Sequence, residues 1–443
     1  FVLPEILMFR FRLGYLTFIL GLSPLYGSMV TQETISYHRN QNLYEHAVRA
    51  YQQGEYQQAI FLYENLVDLK LDAADTYYNL GLAYLESGNL DQAEESFQEA
   101  LAYNRQDYEA SVQLAIVYKK GNHSEKAIEF YKDALDINQD LYEVHYDLAL
   151  LYGELQQSEQ AHYHFSRSVS LNEQLYEAYN DWGILFDSEE KVLKARACYL
   201  MALQIKPEFF FALYNLGLSY KNSGDFNTAL EYYKKAHLIQ ERHLETLISL
   251  GNLYNHARQY KDAIEVSNKA LDLEDSSIHA LYNLANGYFG ENEFEEAKKV
   301  YEKILKLDSK IPEVYNNLGI ICLELEDLVA AEGHYESALA LRQDYSSAMS
   351  NLGWIHYLNG KIKEAISITE RSFSLNPMDP VANYNLGLYY LTNRDPVKAQ
   401  EHYQTATKIS PADPYALRDI EDAMAKDPEN SHYKEIISNF FKK

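Results

Sequence analysis

The tetrapeptide Tyr384-Asn385-Leu386-Gly387 occurs three times in this chain, and its spacing decides the fold. The other copies are Tyr78-Asn79-Leu80-Gly81 and Tyr214-Asn215-Leu216-Gly217, and Tyr282-Asn283-Leu284-Ala285 differs from them at one residue. Successive sites are 136, 68 and 102 residues apart, and every interval is a multiple of 34. A fixed period of this length is the sign of a repeat architecture.

Eleven consecutive units of 34 residues, beginning at Asn40, fit this period without insertion or deletion. With the leucine numbered as position 7, position 20 is alanine in every unit, from Ala59 to Ala399. Position 8 is Gly or Ala, and position 24 is Tyr or Phe except at Ser267 and Thr369. Positions 4, 7, 8 and 11 form one stripe of a first helix, and positions 20, 24 and 27 form one stripe of a second. The small residues at positions 8 and 20 allow the two helices to approach closely.

This pattern resembles the tetratricopeptide repeat, TPR: Leu-Gly at positions 7 and 8, Tyr at 11, Ala at 20, an aromatic at 24 and Ala at 27. Proline at position 32, as in Pro207, Pro377 and Pro411, adds to the resemblance. The resemblance covers residues 40–413 and implies an all-α fold, a right-handed superhelical solenoid of eleven helix-turn-helix repeats. Residues 414–443 leave the pattern at Asp427-Pro428, and we expect them to cap the last repeat, ending in a short helix from Tyr433 to Phe441.

The N-terminal segment is of a different kind. Its continuous apolar part, Leu13–Leu22, is about ten residues long, which is short for a membrane span of about 20 residues but suits an export signal. Arg10 and Arg12 would be its basic start, with Met8 as a natural initiator. Three interpretations of residues 1–30 stay open: a cleaved signal peptide, an uncleaved membrane anchor, and an apolar helix without a targeting role. They imply, in turn, an exported bacterial protein, a membrane-anchored one, or a cytoplasmic one. We expect residues 31–39 to be a polar linker.

The chain is acidic, with 65 Asp and Glu against 39 Lys and Arg, a formal net charge of −26. Nucleic-acid binding requires a basic surface, and none is evident, so we expect a protein or peptide partner that carries positive charge. The only two cysteines, Cys198 and Cys322, exclude a disulfide framework and fit small buried side chains.

The repeats leave no segment long enough for a catalytic domain, and no phosphate loop, Cys-x-x-Cys or His-Glu-x-x-His motif occurs. We therefore expect neither an enzyme nor a cofactor or metal. His162 and His164 are two residues apart, so they lie on different faces of a helix and cannot share a metal. We expect the position-23 histidines, His164, His334 and His402, to be partly exposed.

Positions 5 and 6 are candidates for a binding surface, because in this family the first helices line the concave side. Position 6 carries polar side chains, and the candidate residues are Asn79, Asp147, Asp181, Asn215, Asn283, Asn317, Asn351 and Asn385. An Asn amide offers two donors and an acceptor, which suits the backbone of an extended peptide. Position 5 adds a row of tyrosines: Tyr78, Tyr146, Tyr214, Tyr282 and Tyr384. Two alternatives remain, namely that the amides bond within the scaffold and that the tyrosines pack on a neighbouring unit.

The row of asparagines resembles the asparagine ladder in the repeat domain of O-linked N-acetylglucosamine transferases, without their catalytic domain. The TPR clamp that captures a C-terminal carboxylate needs bases at positions 2, 5 and 6, but at position 2 this chain mostly has acids, so carboxylate capture is not expected. The first half of the surface should be negative, through Asp75, Glu109, Glu143, Asp147, Glu177 and Asp181.

These observations predict a non-enzymatic scaffold that binds an extended polypeptide on its concave face, with the basic part of the partner in the N-terminal half. The alternative is a targeting or adaptor subunit of a separately encoded enzyme, such as a glycosyltransferase, or of an export or envelope-assembly complex. In that case the binding energy would lie on the convex face or at the ends.

Overall fold

The structure is a computed structural model that describes residues 32–69, 73–411 and 414–441. Within these residues the chain forms 24 α-helices and a terminal π-helix, and no β-strand. The predicted all-α repeat fold is confirmed. The predicted signal or anchor in residues 1–30 lies outside the described residues.

The chain divides into two compact units, one ending at Ala212 and one beginning at Leu213. We call them the N-terminal and C-terminal units. The helices of the N-terminal unit are α1 (Gln32–Gln52), α2 (Tyr56–Asp68), α3 (Ala73–Glu86), α4 (Leu90–Tyr103), α5 (Tyr108–Lys120), α6 (Ser124–Ile137), α7 (Tyr142–Glu154), α8 (Ser158–Leu171), α9 (Tyr176–Ser188) and α10 (Val192–Ile205).

Helix α11 (Phe210–Asn222) begins just before the division and continues into the C-terminal unit. The further repeat helices are α12 (Phe226–Ile239), α13 (Leu244–His256), α14 (Tyr260–Leu271), α15 (Ile278–Gly290), α16 (Phe294–Leu307), α17 (Pro312–Glu324), α18 (Leu328–Leu341), α19 (Ser346–Leu358), α20 (Ile362–Leu375), α21 (Pro380–Thr392) and α22 (Pro396–Ile409). Odd-numbered helices are the first helices of the repeats, and even-numbered ones are the second.

The small residues of the pattern lie where the helices of a repeat touch. All eleven position-20 alanines, from Ala59 to Ala399, are fully buried. At position 8, a Cβ added to Gly319 would lie 2.5 Å from the Tyr335 ring, so the close approach depends on the missing side chain. The second helix of one repeat also packs on the first helix of the next, as between α14 and α15.

The turn between the two helices of a repeat has one conformation throughout. Position 15 has a positive φ in all eleven repeats, from Gly54 to Arg394, although only four of these residues are glycine. The next residue is an aspartate in several repeats, and its carboxylate caps the second helix: Asp225 accepts from Thr228 N at 3.1 Å and Asp327 from Ala330 N at 3.0 Å. The backbone geometry of the turn is therefore set by the repeat and not by glycine alone.

Residues 32–39, which we expected to be part of a polar linker, belong to helix α1, which begins at Gln32. The segment contains no Pro or Gly, so nothing interrupts the helix before the first repeat. At the other end α23 (Pro414–Lys426) is followed by α24 (His432–Ile436), which continues as a π-helix over Ile437–Phe441. Phe440 stacks on Tyr403 of the last repeat with ring centroids 6.3 Å apart. These helices cover the hydrophobic end of the repeats.

Candidate functional site

The position-5 tyrosines pack on the position-24 aromatic residue of their own repeat. The ring centroids are 5.6–6.3 Å apart and the planes are steeply inclined, an arrangement that aromatic pairs favour. The pairs are Tyr44–Tyr63, Tyr78–Phe97, Tyr146–Phe165, Tyr214–Tyr233, Tyr282–Tyr301 and Tyr384–Tyr403. A large part of each tyrosine therefore belongs to the core of its repeat.

The hydroxyl end of several of these tyrosines meets position 6 of the next repeat. The amide of Asn79 donates to the Tyr44 hydroxyl at 2.6 Å, and that of Asn317 donates to the Tyr282 hydroxyl at 2.9 Å. The hydroxyl of Tyr146 donates to the Asp181 carboxylate at 2.5 Å. Positions 5 and 6 thus form bonds between repeats, one of the alternatives that the sequence left open.

Other position-6 amides bond elsewhere in the scaffold. Asn283 donates to the carbonyl oxygen of Ile248 at 2.8 Å, and Asn351 donates to the side chain of Asn316 at 3.0 Å. Asn215 and Asn385 are half-buried. None of these contacts tests peptide binding, so that role stays a prediction for the whole set.

The predicted site residues fall into two groups, one buried and one half-buried. Tyr78, Asn79, Asn283 and Tyr384 are buried, and the hydroxyl of Tyr384 donates to the Ser410 carbonyl. The half-buried members are Tyr146, Asp147, Asp181, Tyr214, Asn215, Tyr282, Asn317, Asn351 and Asn385. Because a buried side chain offers little surface to a ligand, the half-buried residues are the stronger candidates for contact.

Two of the predicted acidic residues of the N-terminal unit are engaged within the protein. Asp147 accepts from Lys119 Nζ at 2.6 Å and from the Tyr131 hydroxyl at 3.0 Å. Burial raises the pKa of Asp181, while its hydrogen bonds from Tyr146 and Asn180 act in the opposite direction. Asp147 and Asp181 therefore contribute less to a negative surface than the sequence suggests. Glu143 is exposed and can contribute its charge.

A groove of about 530 Å³ lies in the C-terminal unit on the face formed by the first helices. Four of these helices contribute, with Lys221 from α11, Ile248 and Asn252 from α13, Tyr282 from α15 and Glu313 from α17. Its volume is in the range of ligand sites, about 300–1,000 Å³. Two residues predicted from the sequence, Tyr282 and Asn283, line it.

Sequence reasoning missed the apolar walls of this groove, which are Ile248, Ile278 and Ile311. A signal was present in the seventh repeat, residues 244–277. It lacks the aromatic residue at position 5, where Ile248 stands, and also at position 24, where Ser267 stands. The tenth repeat also lacks both, but there Trp354 and Tyr357 stack with ring centroids 5.4 Å apart.

The expectation for His164 is wrong, since this side chain is buried. Its Nδ1 lies 2.9 Å from Nδ1 of His145, so one ring donates and the other accepts. Tyr152 stacks on His164 with ring centroids 5.5 Å apart. His162 instead bonds to Glu189 at 2.9 Å, so His162 and His164 do point to different partners. His334 and His402 are half-buried, in line with the sequence expectation.

Both cysteines, Cys198 and Cys322, are buried free thiols, as predicted. Within the described residues no group of three or more His, Cys, Asp or Glu side chains is arranged to hold a metal. No helix in the part of the chain that the structure describes is both long and apolar enough to cross a membrane.

Family models identify the repeats. Tetratricopeptide-repeat models match residues 72–140, 208–276, 276–344 and 351–414, and a TPR-repeat model matches residues 49–88. These matches span most of the chain, which therefore belongs to the tetratricopeptide-repeat family. No protein of curated function is detectably similar to it in sequence.

Several solved structures are similar. A chain of the APC/C hetero-tetramer Cut9-Hcn1 is 16% identical with a TM-score of 0.47, over 89% of this chain and 99% of that one. Yeast Tom70 is 16% identical with a TM-score of 0.41, over 91% and 97%. YrrB, described as a TPR protein with an unusual peptide-binding site, is 26% identical with a TM-score of 0.35, over 43% and 99%. These similarities do not indicate which partner this chain binds.

Proposed function

We propose that this protein is a non-enzymatic scaffold that binds an extended segment of a partner protein along its first helices. The observation that carries this proposal is the groove of about 530 Å³ that crosses four successive first helices of the C-terminal unit. Proteins of this family generally mediate protein–protein interaction, which supports the class of function.

The chemistry of the groove suits a polypeptide. Its apolar walls can bury a side chain, and the exposed amide of Asn252 can pair with a peptide backbone. Such main-chain contacts give affinity, and pockets for individual side chains give specificity. A small charged ligand would need convergent charges, and the groove has only single ones at its rim.

Acidic side chains of the N-terminal unit support a basic stretch in the partner. Fewer of them are available than the sequence suggests, because Asp147 and Asp181 are engaged within the protein. Glu143 and Glu177 are the position-2 acids of the fourth and fifth repeats, and Glu143 is exposed. The net charge of −26 adds a long-range attraction for basic partners that high salt weakens.

The test is capture of partners from lysate and envelope fractions at two salt concentrations. We expect Asn252→Arg to abolish capture, because it places a bulky cation in the groove. Asn268→Arg is the matched control, since Asn268 is an exposed asparagine on α14 of the same repeat. Equal capture by both variants and the parent protein would refute binding in the groove.

A second candidate function is an adaptor that binds a folded enzyme on its outer surface. The observation in its favour is an apolar exposed face of α10, where Leu193 is 81% exposed and Leu200 and Met201 are also exposed. Exposed apolar side chains grouped on one helix face are typical of interaction sites. If this adaptor function is correct, the protein should capture an enzyme in a stoichiometric, salt-resistant complex. The double variant Leu193→Glu and Leu200→Glu should lose this enzyme, whereas Asn252→Arg should still bind it.

A further inference from the structure

The groove lies at the seventh repeat, which lacks the pair of aromatic rings found in six other repeats. Six repeats place a tyrosine at position 5 against an aromatic residue at position 24, but this repeat has Ile248 and Ser267. Asn283 fills part of the space, since its amide nitrogen would be 3.2 Å from a Cβ added to Gly251. Replacing tyrosine by isoleucine removes about four heavy atoms, the size of one leucine or isoleucine side chain in a close-packed interior. Ile248 itself lines the groove, together with Ile278 and Ile311.

A fixed hydrogen-bond donor stands beside this space. The Tyr282 hydroxyl accepts from Asn317 at 2.9 Å, which leaves the hydroxyl hydrogen of Tyr282 to donate elsewhere. Burial raises the pKa of Tyr282, so the phenol stays protonated at neutral pH. Because Asn317 also donates to Tyr301 at 2.9 Å, the Tyr282 oxygen is held in place for a peptide carbonyl.

The charges at the rim differ in their availability. Glu313 is paired with Arg342 at 2.5 Å, so its charge is largely compensated. Lys221 is half-buried, and the structure shows no carboxylate within ion-pair distance of it among the described residues. One end of the groove therefore offers an uncompensated positive charge, in contrast to the acidic character of the whole chain.

We infer, resting on the proposed function, that the groove recognises an extended segment anchored by a branched aliphatic side chain, with an acidic residue towards Lys221. The anchor occupies the space between the three isoleucines, and a backbone carbonyl of the segment accepts from Tyr282. The acidic residue pairs with the Lys221 ammonium. The partner is thus acidic and aliphatic at this groove, even where another part of it is basic.

The test uses the full chain and a positional-scanning library of nine-residue peptides, with binding followed by fluorescence polarisation. Pools with Ile, Leu or Val at one position and Asp or Glu nearby should bind most tightly. Replacing the aliphatic anchor by alanine should weaken binding by about tenfold or more. Tighter binding of pools with an aromatic or basic anchor would overturn the inference and leave the proposed function intact. If no pool binds and no partner is captured, the proposed function fails as well.

Two variants locate the effect. Ile248→Tyr restores the tyrosine of the other repeats and should abolish peptide binding while the helical content stays unchanged. In Lys221→Glu, the preferred peptide residue beside the aliphatic anchor should change from acidic to basic. Lys261→Glu is the control, because Lys261 is exposed on α14, and it should leave this preference unchanged. Unchanged preference in Lys221→Glu would refute the charge assignment. Self-association of the chain that Ile248→Tyr abolishes would show a second copy as the occupant and overturn the proposal.

Discussion

The amide of Asn317 donates to the hydroxyl of Tyr282 at 2.9 Å and so joins the first helices of two successive repeats. The two residues are 35 positions apart, and hydrogen bonds across the same spacing join Tyr44 to Asn79, where the amide donates, and Tyr146 to Asp181, where the hydroxyl donates. In a repeat protein each repeat contacts only its neighbours, so bonds of this kind couple the stability of adjacent repeats. The residues predicted to form a binding surface therefore also hold the scaffold together.

Tyr282→Phe should lower the free energy of unfolding of the C-terminal unit by about 1 kcal/mol, since it removes one hydroxyl from this network. The Asn317 amide keeps its second bond to Tyr301, which limits the loss. Urea denaturation followed by circular dichroism measures the change. Tyr163→Phe is the control, because the Tyr163 ring is largely exposed, and equal losses in both variants would contradict the assignment.

Arg258→Gly should stabilise the C-terminal unit by about 0.5–1 kcal/mol, because Arg258 has a φ of +57°, a conformation that side chains disfavour. The matched change is Gly224→Ala at the same position of the preceding repeat. A Cβ on Gly224 would meet no atom within 4 Å, so its cost of about 1 kcal/mol would come from the backbone alone. A destabilised Arg258→Gly protein would count against this explanation of the turn.

Gly319→Ala should cost about 1–3 kcal/mol, because the added methyl would lie 2.5 Å from the Tyr335 ring and force the two helices apart. Gly333 provides the contrast, as it lies within α18 and a Cβ there would meet no atom within 4 Å. Gly333→Ala should stabilise the helix by up to about 1 kcal/mol. Thermal and urea denaturation of the two variants should therefore shift in opposite directions.

The buried pair of His145 and His164 should make stability depend on pH. Burial lowers the pKa of both rings, that of His164 from 6.5 to about 4. Arg167 near His145 and Lys132 near His164 act in the same direction, and Asp140 opposes them at His145. Below pH 6.5 the unfolded chain binds protons that the folded chain does not bind, so stability is complete above this pH and falls towards pH 4.

The loss from His164 should be on the order of 3 kcal/mol between pH 6.5 and pH 4. Urea denaturation of the protein at several pH values measures it. The double variant His145→Gln and His164→Gln separates this loss from the titration of carboxylates, which both proteins share. If the two proteins lose stability in parallel, the histidine pair is not the cause.

The two thiols should react slowly in the folded protein. Burial raises the pKa of the Cys198 thiol to about 11 and also raises the pKa of Cys322, so little thiolate exists at neutral pH. A chromogenic disulfide reagent should modify both thiols rapidly in urea. In buffer, the reaction should be as slow as the opening of the folded protein that exposes the thiols. Rapid modification of the native protein would show that at least one thiol is accessible.

Much of the architecture could be predicted because it repeats. The helix pairs and the buried alanine at position 20 follow from local spacing, which one chain displays eleven times. The helical start at Gln32 could not be predicted, since polar residues without Pro or Gly fit either a helix or a linker. The burial of His164 depends on His145 and Tyr152, which lie in another helix.

The role of positions 5 and 6 in binding stays a prediction. Position 5 carries the aromatic row and position 6 the polar row of the first helices, and Tyr282 and Asn283 line the groove. Residue types alone do not distinguish bonding within the scaffold from bonding to a ligand, because an amide has the same donors in either case. The choice depends on whether a hydroxyl lies within about 3 Å of the amide, which only the packing of neighbouring repeats determines.

By itself, the sequence determined the repeat, the helix pairs and the small and aromatic core positions 8, 20 and 24, because hydrophobic periodicity is a local property of the chain. Only the tertiary structure decided that Asn317 bonds to Tyr282 and Tyr301, and that Ile248, Ile278 and Ile311 line one groove with Tyr282. Contacts between residues 35 positions apart depend on how each repeat is rotated against the next. That rotation is set by the summed packing of many side chains and is not encoded at any one position.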